Sequence, residues 1–253
     1  MFTGKAALIT GAAQGLGKSF ASALLKKECK VCAADNNEEK LQATVREFQD
    51  IYGENNVMYA KCDVTKEHDL EETFKRAKSA FNRIDIVVNN AGVVDERNWE
   101  RCLDINLTGV IRGTLLGLKY LRKDLGGAGG TIVNVSSMAG IFPVEYSPAY
   151  CASKHGVVGY TRSWAFHPEV VKNGVRLLCL CPAYAKTDIL NFQPESPEDL
   201  AQAQKSMEAL GIMRVEEVSD AFIKLLEDSD NNGSVMSVTK QNTIYWKMPV
   251  PKF

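Results

Sequence analysis

The chain has 253 residues, 45% of them hydrophobic and 24% charged, with a formal net charge of −1. That length supports one sizeable hydrophobic core, and the near balance of charge argues against nucleic acid or an anionic membrane surface as a main partner. No apolar run approaches the roughly 20 residues needed to span a bilayer, and the start, Met1 to Thr10, lacks the apolar core and cleavage site of a signal peptide, so the expected compartment is the cytoplasm.

Apolar runs then alternate with amphipathic stretches along the chain. In order, Ala6–Thr10 predicts a strand, Gly15–Lys27 a helix, Lys30–Asp35 a strand and Glu38–Tyr52 a helix. Val57–Lys61, Ile84–Val88 and Thr131–Ser136 continue the strands, with helices over Lys66–Phe81 and Trp99–Arg122 between them. Helix Tyr150–His167, strand Val175–Cys181, helix Glu216–Asp228 and strand Ser234–Thr239 complete the series. Near-continuous hydrophobicity suits strands covered on both faces. Seven such strands with helices between them predict an α/β chain, a Rossmann-type doubly wound parallel sheet of seven strands with helices on both faces. Right-handed crossovers put the carboxyl ends of the strands, and any ligand, along one edge.

Two segments read as loops. Gly126 to Gly130 is a flexible connector; a strand follows it rather than a helix, which argues against a phosphate loop. The stretch around 190–212, with Pro194, Pro197 and a weakly amphipathic helix, interrupts the rhythm and suits a mobile lid over a substrate. No linker divides the chain, so 1–253 is read as a single domain. Of the seven cysteines, Cys29 and Cys32 are spaced like half a metal or redox motif but open a strand, and no second pair stands at metal spacing. Cys179 and Cys181 alternate along another strand and share a face. Reduced, mostly buried thiols and no metal are expected.

The chemistry begins in the turn after the first strand, Thr10-Gly11-Ala12-Ala13-Gln14-Gly15-Leu16-Gly17. Glycines allow the backbone to turn tightly and approach a pyrophosphate, whose charge meets the helix amino terminus. Asp35 closes the second strand about twenty residues later, where a carboxylate accepts hydrogen bonds from both hydroxyls of an adenosine ribose. It also repels a 2′-phosphate, and Asn36 and Asn37 offer no cation to bind one, so NAD is preferred over NADP. An Asp35 that merely caps the next helix is the rival reading. In Cys62-Asp63-Val64, Asp63 is placed to meet the adenine edge, with helix capping again the alternative. Asn89-Asn90-Ala91-Gly92 follows the fourth strand; Asn89 is read as tying strands together and Asn90 as lying nearer the cofactor. Tyr150 and Lys154, four apart, face the same side of a helix. An ammonium beside a phenol favours the phenolate and draws a pKa near 10 downward, which makes a proton acceptor. His155 and His167 have no motif-matched nucleophile, and a hydrolase would leave the glycine loop unexplained.

These motifs, with Asn106, Ser137 and the Pro182 segment in the same order, resemble the short-chain dehydrogenase/reductase family over about residues 4–240. The resemblance implies Tyr150 as general base, Lys154 as its activator and holder of the nicotinamide ribose, Ser137 as donor to the substrate oxygen, and Asn106 as holder of a relay water. The thirteen-residue spacing to Tyr150 selects Ser137 over Ser136. It further implies that Pro182, Ala185 and Thr187 hold the nicotinamide carboxamide. Ala183 replaces the family's usual glycine, and its methyl either crowds that pocket or demands an ordinary negative φ.

Within the family, Asn98-Trp99-Glu100, the run Tyr150 to Gly156, Gly174 to Leu177, and Thr187-x-Ile189-Leu190 look like the members that oxidise hydroxyprostaglandins with NAD. This implies oxidation of a secondary allylic alcohol on a lipid chain. Those members carry Gln three residues before the tyrosine, where this chain has Ser147, which spans the same gap only through a water. Ser147 and Tyr184 are accordingly read as substrate residues. Ile141, Phe142, Val144, Tyr184, Ile189, Leu190, Phe192 and Met207 would form an apolar pocket, though each could equally be core. The divergent end from Tyr245 to Phe253 is expected near that pocket. Steroids or ecdysteroids, retinol, farnesol and short aliphatic alcohols remain open as substrates, and a silent NAD-binding protein is the alternative of another class. All four catalytic positions are filled, which favours the enzyme. The family also implies a homodimer through helices Trp99–Arg122 and Tyr150–His167, with a tetramer left open.

Overall fold

Strands that are apolar on both faces are stable only where both faces are covered, and a computed structural model, describing residues 2–192, 194 and 196–247, places them so. The strands are β1 Ala6–Thr10, β2 Lys30–Asp35, β3 Val57–Lys61, β4 Ile86–Asn89, β5 Gly130–Val135, β6 Val175–Pro182, β7 Val235–Val238 and β8 Thr243–Trp246. They form one sheet in the order β3-β2-β1-β4-β5-β6-β7-β8, parallel from β3 to β7. The helices are α1 Gly15–Leu25, α2 Glu38–Tyr52, α3 Glu67–Phe81, α4 Trp99–Leu103, α5 Gly109–Leu121, α6 Pro148–Ala165, α7 Pro168–Lys172, α8 Pro197–Leu210 and α9 Val215–Glu227.

The two-residue period of the strands feeds two cores. From β1, Ala7 and Ile9 face Phe20 and Leu24 of α1, Phe48 of α2 and Phe222 of α9 in one cluster. Ala6 and Leu8 face the opposite cluster, with Phe74 of α3 and Leu118 and Leu121 of α5. A third cluster beneath α6 joins Val157 and Val158 to Cys179, Cys181 and Val235. All seven cysteines are free thiols; burial pushes those of Cys29 and Cys32 up to about 12. Among the described residues, no helix is long and apolar enough to cross a membrane, and no three His, Cys, Asp or Glu side chains gather as a metal site.

The structure corrects two expectations. The seven parallel strands are joined by an eighth, β8, which pairs antiparallel with β7. Its sequence Thr-Ile-Tyr-Trp suits a strand, but it is an edge strand of four residues, three of them exposed, so it carries no buried run to read. The expected single helix Trp99–Arg122 is divided by a π turn, Asp104–Thr108, in which the Gly109 N–H reaches back to the Asp104 carbonyl. The extra residue turns Asn106 inward, where polar groups wait for it. Smaller shifts occur at helix ends. α6 begins two residues early because Pro148, with no N–H to lose and φ already helical, suits the first position.

Candidate active site

The strand order reverses between β1 and β4, whose following loops diverge to opposite sides of the sheet and leave a crevice at their carboxyl ends. A cavity of about 950 Å³ lies along that edge, lined from the glycine loop to α8. Gly11 and Gly15 adopt φ of +66° and +56°, which L side chains rarely do. With Gln14 and Leu16 they lie on the cavity wall. Gly17 does not: a Cβ there would stand 2.1 Å from the Gly11 carbonyl oxygen, so this glycine lets α1 seat beneath the loop. Asp35 turns to the loop and does not cap α2. Its two oxygens accept the Ala13 N–H (3.0 Å) and the Asn37 N–H (2.9 Å), while the Asn37 side chain supplies the cap. Asn36 lies on the wall beside it. The Lys40 ammonium is engaged with Gln14 Oε1 at 2.6 Å and Asp188 Oδ2 at 3.5 Å.

Cys62, Asp63 and Val64 continue the wall. Asp63 Oδ1 accepts the N–H and hydroxyl of Thr65 (2.9 and 2.8 Å), folding the turn before α3 without capping it. Asn89 is interior, donating to Asn134 Oδ1 at 2.8 Å. Asn90, with Ala91 and Gly92, reaches the wall, yet its amide donates to the carbonyls of Thr10 (2.9 Å) and Gly11 (3.1 Å). Asn90 therefore braces the glycine loop from β4 while facing the cavity, and Asn89 stays in the interior.

At the reacting end, Ser136 and Ser137 part at the end of β5. Both reach the cavity wall, but the Ser136 hydroxyl is buried and donates to the Lys154 carbonyl (2.8 Å), whereas the Ser137 oxygen accepts the Ala139 N–H (3.1 Å) and keeps its proton to donate. Tyr150 and Lys154 stand one turn apart on α6, the ammonium 5.6 Å from the phenol ring centre and donating to the Val135 carbonyl at 3.0 Å. Burial pushes the Tyr150 phenol up to about 12, against the Ser137 hydroxyl, which favours the phenolate. The same burial pulls Lys154 down to about 8. In the site as these side chains form it, desolvation is the largest influence on the phenol, and only the Ser137 hydroxyl opposes it.

Asn106 is fully buried and off the cavity wall. Its Oδ1 accepts the Val93 N–H and its Nδ2 donates to the Val93 carbonyl, both at 2.8 Å, and Nδ2 also meets Ser153 Oγ at 3.2 Å. The amide is spent as a clamp on the loop after β4. Any water at this position is left to the backbone of the π turn.

Across the cavity, Pro182, Ala183, Tyr184, Ala185 and Thr187 extend from β6. Among the described residues the left-handed non-glycines are Glu28 and Asn82, so Ala183 sits at an ordinary φ without strain. Thr187 donates to the Ala185 carbonyl (3.2 Å). The Tyr184 hydroxyl donates to Ser206 Oγ on α8 (2.9 Å) and is hydrogen-bonded to the Tyr146 hydroxyl. Tyr146 in turn stacks on Phe192 at 6.2 Å. Phe142, Val144, Ile189 and Leu190 line the cavity as expected; Ile141 packs beneath α6, and Met207 points off the wall. Ser206 and Leu210, one turn apart, hold the face of α8 assigned to Met207. The buried Ser147 hydroxyl is on the wall with no hydrogen-bond partner. Residues from 248 lie outside the described ones; Trp246 meets Phe142 edge-on at 5.2 Å. Tyr146, Ser206, Val93 and Val94 were not foreseen, since no motif marks them.

A family model described as short chain dehydrogenase matches residues 5–198. The chain is 42% identical over 251 residues to 15-hydroxyprostaglandin dehydrogenase [NAD(+)] of Rattus norvegicus, covering 96% of this chain and 94% of that one. Among solved structures, levodione reductase superposes with a TM-score of 0.83 at 27% identity, over 94% of this chain and 97% of that one. A short chain dehydrogenase/reductase from Burkholderia phymatum in complex with NAD gives 0.78 at 26% identity, over 88% and 85%.

Proposed function

The chain belongs to the short-chain dehydrogenase family, and from that membership we propose that it oxidises a secondary alcohol on a lipid-like molecule, a prostaglandin or related hydroxy-lipid, to a carbonyl with NAD. The observation that carries this reading is the convergence of Ser137, Tyr150 and Lys154 on one wall of a cavity whose far side is largely apolar.

The residues fit NAD. Asp35 holds a carboxylate beside the glycine loop, Gly11 and Gly15 allow close backbone approach, and the nearby Lys40 is engaged by Gln14 and Asp188. Gln14, Leu16, Asp35 and Asn36 would hold the adenosine half with Cys62, Asp63 and Val64, and Asn90, Ala91, Gly92, Pro182, Ala185 and Thr187 the nicotinamide half. When bound, NAD supplies a positively charged nicotinamide ring that takes the hydride and favours phenolate beside it.

The protein supplies the rest. Ser137 donates to the reacting oxygen, where charge develops. Tyr150 removes the hydroxyl proton. A phenol near 12 holds almost no phenolate at neutral pH, so Lys154 acts as ammonium to favour that form, and a group near 8 is still protonated at pH 7. The proton then leaves past Lys154 by a water on the backbone of Asn106. Residues 190–212 act as a lid, a reading supported by the hydroxyl chain from α8 to Tyr184. Exposed Trp99 and Leu115, on α4 and α5, support a homodimer through these helices and α6. Free thiols support a cytoplasmic enzyme.

The test follows NADH absorbance with a panel of alcohols, including a 15-hydroxyprostaglandin, farnesol, retinol and an ecdysteroid. Tyr150→Phe should lose turnover while NAD affinity stays within about twofold, because the hydroxyl acts on the substrate proton. An active Tyr150→Phe protein, or a wild type that binds NAD and oxidises no alcohol, would refute the proposal.

A further inference from the structure

The first turn of α6, which carries the proposed base, has an unusual account of its hydrogen bonds. A helix begins with N–H groups that have no partner inside it. Here the Ser147 N–H is taken by the Val144 carbonyl (3.2 Å), Pro148 has none, and the Cys151 N–H closes the first helical bond on the Ser147 carbonyl (2.9 Å). Only the N–H groups of Ala149 and Tyr150 are left over. Both are taken by one distant carboxylate: Glu96 Oε2 accepts from Ala149 at 2.9 Å and Oε1 from Tyr150 at 2.8 Å.

Ser147 stands at the cap position, where a serine hydroxyl ordinarily bonds the second or third N–H of the helix. It makes no such bond, and its backbone angles, φ −150° and ψ 61°, leave the hydroxyl on the cavity wall without a partner. A buried hydroxyl without a partner is costly, which implies a bond made to something that enters the cavity. Glu96 itself belongs to the loop after β4, which Asn106 clamps at Val93 and whose Val93 and Val94 line the cavity. Its neighbour Asp95 bonds forward to Asn98 and Arg101. Asp95 therefore folds the loop, and Glu96 is left to face α6.

We infer that Glu96 is a positioning residue: by capping the catalytic helix from the cofactor-side loop it sets the Tyr150 backbone and releases the Ser147 hydroxyl to bond the substrate. The carboxylate does the work that Ser147 would otherwise do, and each depends on the other. The role in catalysis rests on the proposed alcohol oxidation; the cap does not.

The experiment uses the full chain with Glu96→Ala, Glu96→Gln, Ser147→Ala and the double variant Glu96→Ala/Ser147→Ala. Amide hydrogen exchange of the peptide spanning 147–152 reads the cap without any reaction. It should quicken in Glu96→Ala and less in Glu96→Gln, which keeps one acceptor. With a 15-hydroxyprostaglandin and NAD, kcat should fall roughly tenfold to a hundredfold in Glu96→Ala, the scale expected when a reacting group is displaced, while KM for NAD stays within about twofold. The decisive reading is coupling. Ser147→Ala should raise KM for the alcohol in the wild type but have no effect beside Glu96→Ala, where Ser147 has turned to cap the helix. Unchanged exchange, or losses that simply add in the double variant, would overturn the inference, since general destabilisation of α6 gives additive effects. Were no alcohol oxidised by the wild type, the proposed reaction would fall, and the exchange measurement would still decide the cap.

Discussion

Replacing Lys154 by methionine tests the electrostatics of the site without any substrate. Lys154 is 3% exposed, and burial lowers its ammonium from 10.5 to about 8. At ~1.4 kcal/mol for each pH unit, that lowering corresponds to about 3 kcal/mol by which the fold prefers the neutral amine. Below pH 8 the lysine is charged in both folded and unfolded chains, so the folded state bears the whole burden. Between pH 8 and 10.5 the unfolded chain binds more protons, and stability rises with pH. Methionine has a similar length and no charge, so Lys154→Met escapes this term at every pH. It does forfeit the bond to the Val135 carbonyl, worth about 1 to 3 kcal/mol if that oxygen goes unpaired, but this loss does not depend on pH. The stability of the variant relative to wild type should therefore fall by roughly 2 to 3 kcal/mol from pH 7 to pH 10. Thermal unfolding without nucleotide should show this as a change of about 5 to 10 °C in the Tm difference. A Tm difference constant within about 1 °C across that range would refute the reasoning and mean that water reaches the ammonium in the fold.

Three further outcomes follow from particular contacts. Asp35→Ala removes a carboxylate that orders the glycine loop; kcat/KM with NAD should drop by about tenfold or more, and discrimination against NADP should shrink in paired assays. Gly17→Ala would force a Cβ to within 2.1 Å of the Gly11 carbonyl, so the loop must move. A loss of roughly 1 to 3 kcal/mol in chemical denaturation, with weaker NAD binding by titration, is expected, and an unperturbed variant would mean that the loop is slack. Tyr184→Phe unhooks Ser206 and Tyr146 at once. KM for a long-chain alcohol should rise by about threefold to tenfold with kcat nearly unchanged, whereas an unchanged KM would detach this hydroxyl chain from the lid.

What could be read from the residues depended on whether a feature is local. Strands β1 and β2 are apolar in nearly unbroken runs because both faces are covered, and their limits, like those of the half-buried edge strand β3, are legible to the residue. The glycine loop was legible because backbone close to a ligand permits few residue types. By contrast, β8 has an exposed edge and so no buried pattern, and it went unseen. The π turn leaves the amphipathic pattern on either side intact, so Trp99–Arg122 read as continuous. Asn89 as the interior tie and Asn90 as the one nearer the cavity are legible from their places at the strand end, but the bonds of the Asn90 amide to the carbonyls of β1 and its loop are not. The phase of α8 was misjudged by one residue, enough to exchange Met207 for Ser206. Glu96 acts across more than fifty residues of chain, and no spacing rule connects it to α6.

The π turn at Asp104–Thr108 has a consequence for how this stretch can change. In an α-helix each residue adds about 100° of rotation, so the extra residue rotates α4 against α5 rather than merely lengthening the rod. Deleting Leu107 or Thr108 would let a regular helix close. It would swing Cys102 and Asn106 away from Val93 while every side chain after Gly109 kept its place. Substitutions here are judged singly, but insertions and deletions are judged by phase. Residue count thus sets the phase of the segment, and the loop that Asn106 clamps depends on that phase as much as on the side chain itself.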